Sequence, residues 1–257
     1  MKLASFDGPA GRRVGIVDGD EIVDLTAADP SLATMTDLLQ RGPQAASGNS
    51  SSAPRLPLSS VKLAAPVPRP PKFLAIGYNN PQHLEETNTP RPTRQVWFNK
   101  QQSCIVGPGD GVWIPRIAPD EVDYEGELGM VIGRRCKNVP NDKAASPSTL
   151  TARSVRGSRP PTRSATPWTW VCVPTSTTTS DRMDATSDMI FDIYEQVSYL
   201  SSAFTLEVGD VLSTGTPSGI TWRRPGMYLK AGDTVRVEID KIGALENPVI
   251  AEPGLGG

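Results

Sequence analysis

The sequence predicts a mixed α+β fold that is mainly β, with the strands arranged as a β-roll or β-sandwich. Three observations support this prediction. The 257 residues include 23 Gly and 25 Pro, more than the average usage of about 7% and 5%, which is typical of many turns between short strands. Several short runs alternate apolar and polar residues, as half-buried strands do. Only one long stretch, residues 188–201, has apolar residues at helical spacing.

The first 65 residues are predicted to form a small β-rich domain. A short helix is expected around residues 35–40, and Gly42 and Pro43 should end it. Residues 43–55 offer little to bury, so we expect a flexible linker there. Asp-Gly turns, which are typical of hairpins, separate three short extended runs. These runs are residues 3–6, 13–17 and 21–25.

Residues 66–257 are predicted to form a second, larger domain that is rich in strands. Ser187 is expected to be the N-cap of the helix over 188–201. Residues 206–211 and 229–234 each place a Gly-Asp turn before a strand, which suits a roll or a sandwich. A short apolar strand is expected at 73–76, and strands with their apolar residues on one face are expected at 124–132 and 234–239.

Residues 144–182 interrupt this pattern. No acidic residue occurs between Asp142 and Asp181, and arginines stand among Ser, Thr and Pro without helical or strand periodicity. Such a composition buries too little apolar surface to offset the entropy that ordering costs. We therefore expect a poorly ordered segment, which trypsin should cleave first at one of four arginines. These are Arg153, Arg156, Arg159 and Arg163.

Charge, hydropathy and cysteine content exclude several classes of protein. With 26 Lys and Arg against 28 Asp and Glu, the net charge of −2 is not that of a dedicated nucleic-acid binder. No apolar run approaches the roughly 18 residues that cross a bilayer, and the first residues lack the core of a signal peptide. Three cysteines without a CxxC pair indicate neither a disulfide framework nor a zinc knuckle. We expect a cytoplasmic protein that binds neither nucleic acid nor membrane.

Glu125 and Glu127 form the first candidate site. In a strand, residues two apart point the same way, about 6.6 Å apart along the chain, so both carboxylates would project from one face. Like charges on one face repel unless a cation lies between them, and oxygen ligands favour Mg²⁺, Mn²⁺ or Ca²⁺. The alternative is an exposed polar strand face. Gly126 and Gly129 favour a site, because glycine in a strand often marks the close approach of a ligand.

The single histidine, His83, gives a second candidate. If Pro81 opens a helical turn, Glu86 lies three residues further on and can accept a hydrogen bond from the imidazole. A histidine oriented by a carboxylate is a common general base, and the alternative is a surface histidine beside a helix-terminal carboxylate. A third candidate is the stretch 213–219, whose glycines and hydroxyls can present N–H and Oγ groups to an anion. A plain turn fits that stretch equally well.

Taken together and in order, these motifs resemble those of the fumarylacetoacetate hydrolase family. The resemblance covers roughly residues 72–133 and 187–250, and the N-terminal residues are similar to the small leading domain of the shorter bacterial members. Its most specific feature is Glu-Gly-Glu followed in register by Gly-Thr-Pro-Ser-Gly. The matching segments are 72–77, 83–86, 96–100, 123–133, 189–191, 206–219, 229–233 and 243–247.

The resemblance implies a β-roll catalytic domain in a homodimer, with Mg²⁺ or Mn²⁺ held by Glu125 and Glu127. It implies an enzyme of the kind found in aromatic catabolism, which hydrolyses a C–C bond in a short diketo or oxo acid, such as an acylpyruvate or a fumarylpyruvate-like compound. Decarboxylation or isomerisation of a related 2-oxo or 2-hydroxy-dienoate acid is equally compatible. His83, oriented by Glu86, would deprotonate the attacking water. Thr216 and Gly215, with the backbone of their loop, would hold the substrate carboxylate.

The chain departs from the family pattern in two places. Asn80 stands where the family has a tyrosine, and Pro81 and Gln82 replace a small-acidic pair. The family's third metal ligand, an aspartate, and a lysine from a Gly-Lys-Ser-like motif have no counterpart, because both would fall in the atypical segment 144–182. That segment resembles a truncated or frame-shifted stretch, and its composition predicts weak or absent turnover. The alternative to an enzyme is therefore a non-catalytic or impaired relative that keeps the β-roll dimer.

Overall fold

Strands dominate the fold. The structure is a computed structural model, and within the residues it describes fifteen strands form three five-stranded sheets, accompanied by six α-helices. The mixed α+β, mainly β class predicted from the sequence is confirmed. None of the described helices is long and apolar enough to cross a membrane. The described residues are 1–144, 150–152, 171–176, 184–220, 226–239 and 242–254.

The first sheet contains only strands from residues 2–64, and all of its pairings are antiparallel. Its order is β4-β3-β2-β1-β5. Val14, Val23 and Leu25 are buried in a core that also includes Val131 of the second sheet. The N-terminal residues therefore pack directly against the rest of the chain. The strands are β1 Lys2–Gly8, β2 Gly11–Asp18, β3 Glu21–Asp24, β4 Arg55–Pro57 and β5 Lys62–Ala64.

Three short helices pack beside this sheet: α1 Leu25–Ala28, α2 Met35–Arg41 and α3 Pro43–Asn49. Helix α2 confirms the short helix expected around residues 35–40. Helix α3 lies where the sequence indicated a flexible linker. Pro43 occupies the first helical turn, where its missing N–H costs nothing, and the small side chain of Ala46 is fully buried in the first core. The small residues of this low-complexity segment therefore allow helix α3 to pack closely against the first core.

The second sheet has the order β10-β9-β13-β6-β7. Its strands β6 and β13 run parallel to each other, while its other pairings are antiparallel. Leu74, Met130 and Leu212 from this sheet pack against Val197 and Leu200 of a helix that covers one face. The strands are β6 Phe73–Gly77, β7 Val96–Asn99, β9 Gly129–Ile132, β10 Leu150–Ala152 and β13 Val211–Ser213.

The third sheet has the order β12-β11-β14-β15-β8. Two small cores lie against it, one around Tyr124, Leu229 and Val249 and the other around Leu128 and Ile239. The strands are β8 Val112–Ile114, β11 Val171–Ser176, β12 Asp184–Ala185, β14 Thr234–Ile239 and β15 Gly243–Ala251. The remaining helices are α4 Pro81–Thr87, α5 Asn141–Ala144 and α6 Ile193–Ala203.

The strand expected over 124–132 is confined to β9, which begins at Gly129. Tyr124 and Leu128 are buried in the cores of the third sheet, whereas β9 pairs in the second sheet. The segment before Gly129 therefore crosses between two sheets, and none of the described strands pairs with it. The alternation of buried and exposed residues predicted there persists without strand pairing.

Helix α6 begins at Ile193, five residues later than predicted, and the expectation that Ser187 is its N-cap is wrong. Asp192 is the N-cap, because its carboxylate accepts the N–H groups of Tyr194 and Glu195, both at 2.8 Å. The Glu195 side chain in turn accepts the Asp192 N–H at 2.8 Å, which completes a capping box. Ser187 lies in a short 3-10 helix, Thr186–Asp188.

Most of the segment 144–182 lies outside the described residues, including the four arginines at which we expect tryptic cleavage. Its described parts include strands β10 and β11, which no local pattern in the sequence predicted. Strand β10 pairs with β9, and β11 pairs with β14. Each therefore has a partner strand that offers a row of backbone hydrogen bonds, and such pairing does not require an alternating sequence.

The two predicted Gly-Asp turns have the same geometry. The carboxylates of Asp210 and Asp233 accept the backbone N–H of the residue three positions earlier, at 2.7 and 2.8 Å respectively. Asp210 is fully buried, and it also accepts the Lys72 N–H at 2.9 Å and pairs with the Lys72 Nζ at 2.8 Å. This aspartate fixes the starts of the parallel strands β6 and β13 side by side.

Candidate active site

The candidate site lies where the parallel strands β6 and β13 end. Strand β6 ends at Gly77 and leads through Asn79 into α4, whereas β13 ends at Ser213 and leads into the loop 214–220. Because the two strands are neighbours in the sheet and run the same way, the segments that follow them start from the same edge. Residues far apart in the sequence therefore meet there.

Helix α4 places His83 in its first turn. The Asn80 side chain is the N-cap and accepts the His83 N–H at 2.9 Å, and Pro81 follows at the first helical position. The helical turn expected to begin at Pro81 is confirmed. Asn80, where the resemblance led us to expect a tyrosine, therefore orients the backbone that carries the histidine.

His83 and Glu86 face each other as the sequence predicts. The Nδ1 atom of His83 lies 3.6 Å from an Oε atom of Glu86, and both side chains are largely buried. This distance is longer than a hydrogen bond, and the buried Nδ1 has no hydrogen-bond partner among the described residues. Such bonds are often long before substrate binds. Glu86 itself accepts the N–H groups of Gly219 at 2.9 Å and Ile220 at 3.4 Å.

Glu125 and Glu127 lie between the second and third sheets. The Glu127 side chain is only 10% exposed, against 42% for Glu125, and Glu127 accepts the Gly215 N–H at 2.5 Å. Burial raises the pKa of the Glu127 carboxyl, and the negative charge of Glu125 raises it further. Lys100 and hydrogen bonds from Ser213 and Gly215 act in the opposite direction. A second positive charge at this position would therefore be stabilised.

Lys100 bridges the two carboxylates. Its Nζ lies 3.7 Å from an Oε atom of Glu125 and 3.6 Å from one of Glu127. The same ammonium group lies 6.0 Å from the centre of the Phe98 ring. No role for Lys100 in the site was predicted from the sequence. The residue follows the edge strand β7, and only the pairing of β7 with β6 brings it to the same edge as the acidic pair.

The loop 214–220 connects the two halves of the site. It donates the Gly215 N–H to Glu127 and the Gly219 N–H to Glu86. Gly215 has φ of +94°, and a Cβ atom there would lie 2.9 Å from the Cβ of Asn79, so only glycine fits. The hydroxyl of Thr216 is buried, and no residue in the described part of the chain forms a hydrogen bond with it. The predicted anion-binding stretch is thus in contact with both predicted pairs of residues.

Asn79 holds this loop in place. Its side-chain amide donates to the Thr214 carbonyl at 2.9 Å and to the Phe191 carbonyl at 3.1 Å. Its side-chain oxygen accepts the Phe191 N–H at 2.8 Å, and its backbone carbonyl accepts the Ile190 N–H at 2.9 Å. Nothing in the local sequence reveals these distant partners of Asn79.

The carboxylate pair has the chemistry of a site for Mg²⁺ or Mn²⁺. Both ligands are oxygens, and Mg²⁺ is commonly held by one or two carboxylates, with water and substrate completing its shell. No cluster of three or more metal-ligating side chains occurs among the described residues. A cavity adjoins the pair and is lined by Gly126, Gly215 and the apolar residues Leu128, Met189 and Ile239. The residues present therefore fit a divalent ion that shares its shell with a small molecule.

Comparison with known proteins places the chain in a family. The family model described as "Fumarylacetoacetate (FAA) hydrolase C-terminal" matches residues 72–147 and 159–250. A mitochondrial oxaloacetate tautomerase of Xenopus laevis is 34% identical over 297 aligned positions, covering 97% of this chain and 90% of that protein. Since the chain has 257 residues, at least 297 − 257 = 40 of these positions are gaps in it. The break in the family match, 148–158, falls in the atypical segment.

Two solved structures agree with this placement. Maleylpyruvate hydrolase from Sphingobium sp. SYK-6, in complex with manganese (II) ion and pyruvate, is 30% identical with a TM-score of 0.76. A 5-carboxymethyl-2-hydroxymuconate delta-isomerase from Mycobacterium smegmatis is 26% identical with a TM-score of 0.71. Each comparison covers 98% of this chain and all of the other. The resemblance noted in the sequence is confirmed: the chain belongs to the fumarylacetoacetate hydrolase family.

Proposed function

We propose that the chain is a metal-dependent enzyme acting on a short 2-oxo or 2,4-dioxo acid, by hydrolysis of a C–C bond, decarboxylation or isomerisation. The observation that carries the proposal is the loop 214–220, which donates one backbone N–H to Glu127 and another to Glu86. This loop joins a carboxylate pair suited to a cation with a histidine suited to proton transfer. Hydrolysis, decarboxylation and isomerisation of such acids all develop negative charge next to a carbonyl, as an enolate.

His83 supplies the proton transfer in this proposal. Glu86 faces Nδ1, so it would hold a proton on that nitrogen and leave Nε2 to accept one from water or from a carbon next to the carbonyl. Because Glu86 is itself held by the N–H groups of Gly219 and Ile220, it cannot rotate away freely. The geometry supports a base whose orientation is fixed by the same loop that borders the substrate space.

Thr216 and Gly215 are proposed to bind the substrate carboxylate. The buried Thr216 hydroxyl has no hydrogen-bond partner within the described ranges, and an unpaired buried hydroxyl is costly unless a ligand completes its hydrogen bonding. A carboxylate oxygen would accept from it.

Glu125 and Glu127 are proposed to hold Mg²⁺ or Mn²⁺. A divalent ion bound there would chelate the oxo and carboxylate oxygens of the acid and stabilise the enolate charge. The manganese in the related maleylpyruvate hydrolase supports this choice of metal. The two carboxylates would leave several positions for water and substrate, which is typical of Mg²⁺ sites.

A second candidate function is an impaired relative that binds metal weakly and turns over slowly. The observation in its favour is that the described residues provide two carboxylates and no third ligand near them. A cation held by fewer protein ligands keeps more water and orients a substrate less well. For either candidate function, we propose a homodimer, a cytoplasmic location and the two-domain division predicted from the sequence.

The test is turnover of a panel of oxo acids by the purified chain. Acylpyruvates, maleylpyruvate and oxaloacetate would be supplied with Mn²⁺, with Mg²⁺ and with EDTA. The enzyme proposal requires turnover of at least one acid at about 1–10³ per second, which EDTA abolishes and Mn²⁺ restores. Glu127-dependent Mn²⁺ binding without turnover would support the impaired relative. Turnover that EDTA leaves unchanged would contradict both.

A further inference from the structure

Lys100 gives the acidic pair a cation of its own. Its ammonium lies within 3.7 Å of both carboxylates. Among the described residues, Lys100 is the only basic side chain in an ion pair with Glu125 or Glu127. The pair is therefore already partly neutralised by a residue of the same chain.

Lys100 occupies the position that a divalent ion would take. An ion held by both carboxylates must contact the oxygens that Lys100 now approaches, and two cations in contact with the same oxygens repel each other. The lysine side chain is one-third exposed and carries its ammonium at the end of a flexible four-carbon stem. It can therefore leave the pair for water without disturbing strand β7.

We infer that the Lys100 ammonium and a divalent cation compete for Glu125 and Glu127, so that metal binding displaces Lys100 from the pair. The inference rests on the proposed function, because it takes the pair to be the metal site. It assigns Lys100 two opposite effects. The ammonium stabilises the metal-free fold by neutralising a buried carboxylate, and it weakens the affinity for metal.

The experiment is calorimetric titration with Mn²⁺ of the full chain and three variants. Lys100→Met keeps an unbranched side chain only one atom shorter and removes the charge, so Mn²⁺ should bind about tenfold more tightly or better. Lys100→Arg keeps the charge and should bind like the wild type. Lys62→Met is the matched control, because it removes the same charge from the Lys62–Asp110 ion pair and should also bind like the wild type.

Thermal unfolding in EDTA gives the second readout. Lys100→Met should unfold at a lower temperature than the wild type, since its acidic pair has lost its counter-charge. A residue with a merely structural role would lower the unfolding temperature and leave the Mn²⁺ affinity unchanged or weaker. If that result were obtained while Mn²⁺ binding by the wild type still depended on Glu127, the proposed competition between Lys100 and metal would be wrong. The proposed metal site would remain supported. Absence of Mn²⁺ binding in the wild type and in Lys100→Met would overturn both.

Discussion

The site has two halves whose carboxylates are stabilised in different ways. The histidine half consists of His83 and Glu86. The acidic half consists of Glu125, Glu127 and Lys100. Glu86 accepts two backbone N–H groups, from Gly219 and Ile220. Glu127 accepts a backbone N–H as well, but it lies beside a second carboxylate, Glu125, and within the described part of the chain both pair with one ammonium, that of Lys100. The carboxylate of the histidine half is therefore held by neutral donors, whereas the acidic half brings two carboxylates together around one cation.

This difference shows which half needs a ligand. Backbone N–H groups stabilise one carboxylate without adding net charge, so the orientation of His83 by Glu86 does not depend on metal. Two neighbouring carboxylates repel each other, and with the one ammonium that the described residues provide they keep a charge of −1. A divalent cation in place of Lys100 would neutralise the pair.

Removal of the His83 imidazole should abolish most of the catalysis and none of the metal binding. If His83 is the general base, His83→Ala should lower turnover by about 10²–10⁴-fold. The Mn²⁺ affinity measured by calorimetry should stay unchanged, because the histidine belongs to the other half of the site. A His83→Ala chain that turns over at the wild-type rate would remove the dyad from the mechanism.

Loss of the Asn80 cap should damage the histidine half alone. Asn80→Ala removes the side chain that accepts the His83 N–H and should lower the free energy of unfolding by about 1 kcal/mol. Thr34→Ala is the matched control, because Thr34 caps helix α2 far from the site and should cost a similar amount. Both variants would be compared by urea unfolding and by kcat. A kcat that falls equally in both would show that Asn80 has no special role in positioning His83.

The same Glu→Gln change should have opposite effects on stability in the two halves. Burial raises the pKa of Glu127 in the folded chain, so the folded chain binds more protons than the unfolded chain between the two pKa values. The free energy of unfolding therefore falls as pH rises through that interval. The contribution of the Glu127 carboxyl is fully retained below its pKa in the unfolded chain. In EDTA at neutral pH, Glu127→Gln should unfold at a higher temperature than the wild type. The gain should vanish at a pH well below the usual Glu pKa of 4.5.

Glu86→Gln provides the comparison for that experiment. Its carboxylate accepts two N–H groups, and an amide in its place would accept them more weakly, so the unfolding temperature should fall. If both variants shifted the unfolding temperature in the same direction at neutral pH, the contrast between the halves would be wrong.

Local sequence signals predicted the residues of the site better than the elements that carry them. His83 and Glu86 are three residues apart on a short helix opened by a proline, so their proximity follows from helix geometry alone. For Glu125 and Glu127, the alternation of buried and exposed residues was correct although the strand was not. Burial alternates wherever an extended chain lies on a core, whereas a strand also needs a partner at its edge.

Residues with distant partners could not be predicted in this way. Asn79 bonds to Phe191 and Thr214, and Lys100 reaches the acidic pair only through the pairing of β6 with β7. Helix α3 was missed because its small residues have no periodic apolar face, and its stability depends on the neighbours that cover Ala46. In each case the stabilising contact comes from a segment whose position the local sequence does not specify.

The acidic half of the site is proposed to bind a divalent cation through Glu125 and Glu127. Its most direct test is calorimetric titration with Mn²⁺ of the wild type and of Glu127→Gln, which keeps the shape of the side chain and removes one anionic ligand. Even supporting residues contribute roughly 10–100-fold to metal affinity, so loss of a direct ligand should weaken binding by at least that factor. Titration curves that coincide for the two chains would contradict the claim.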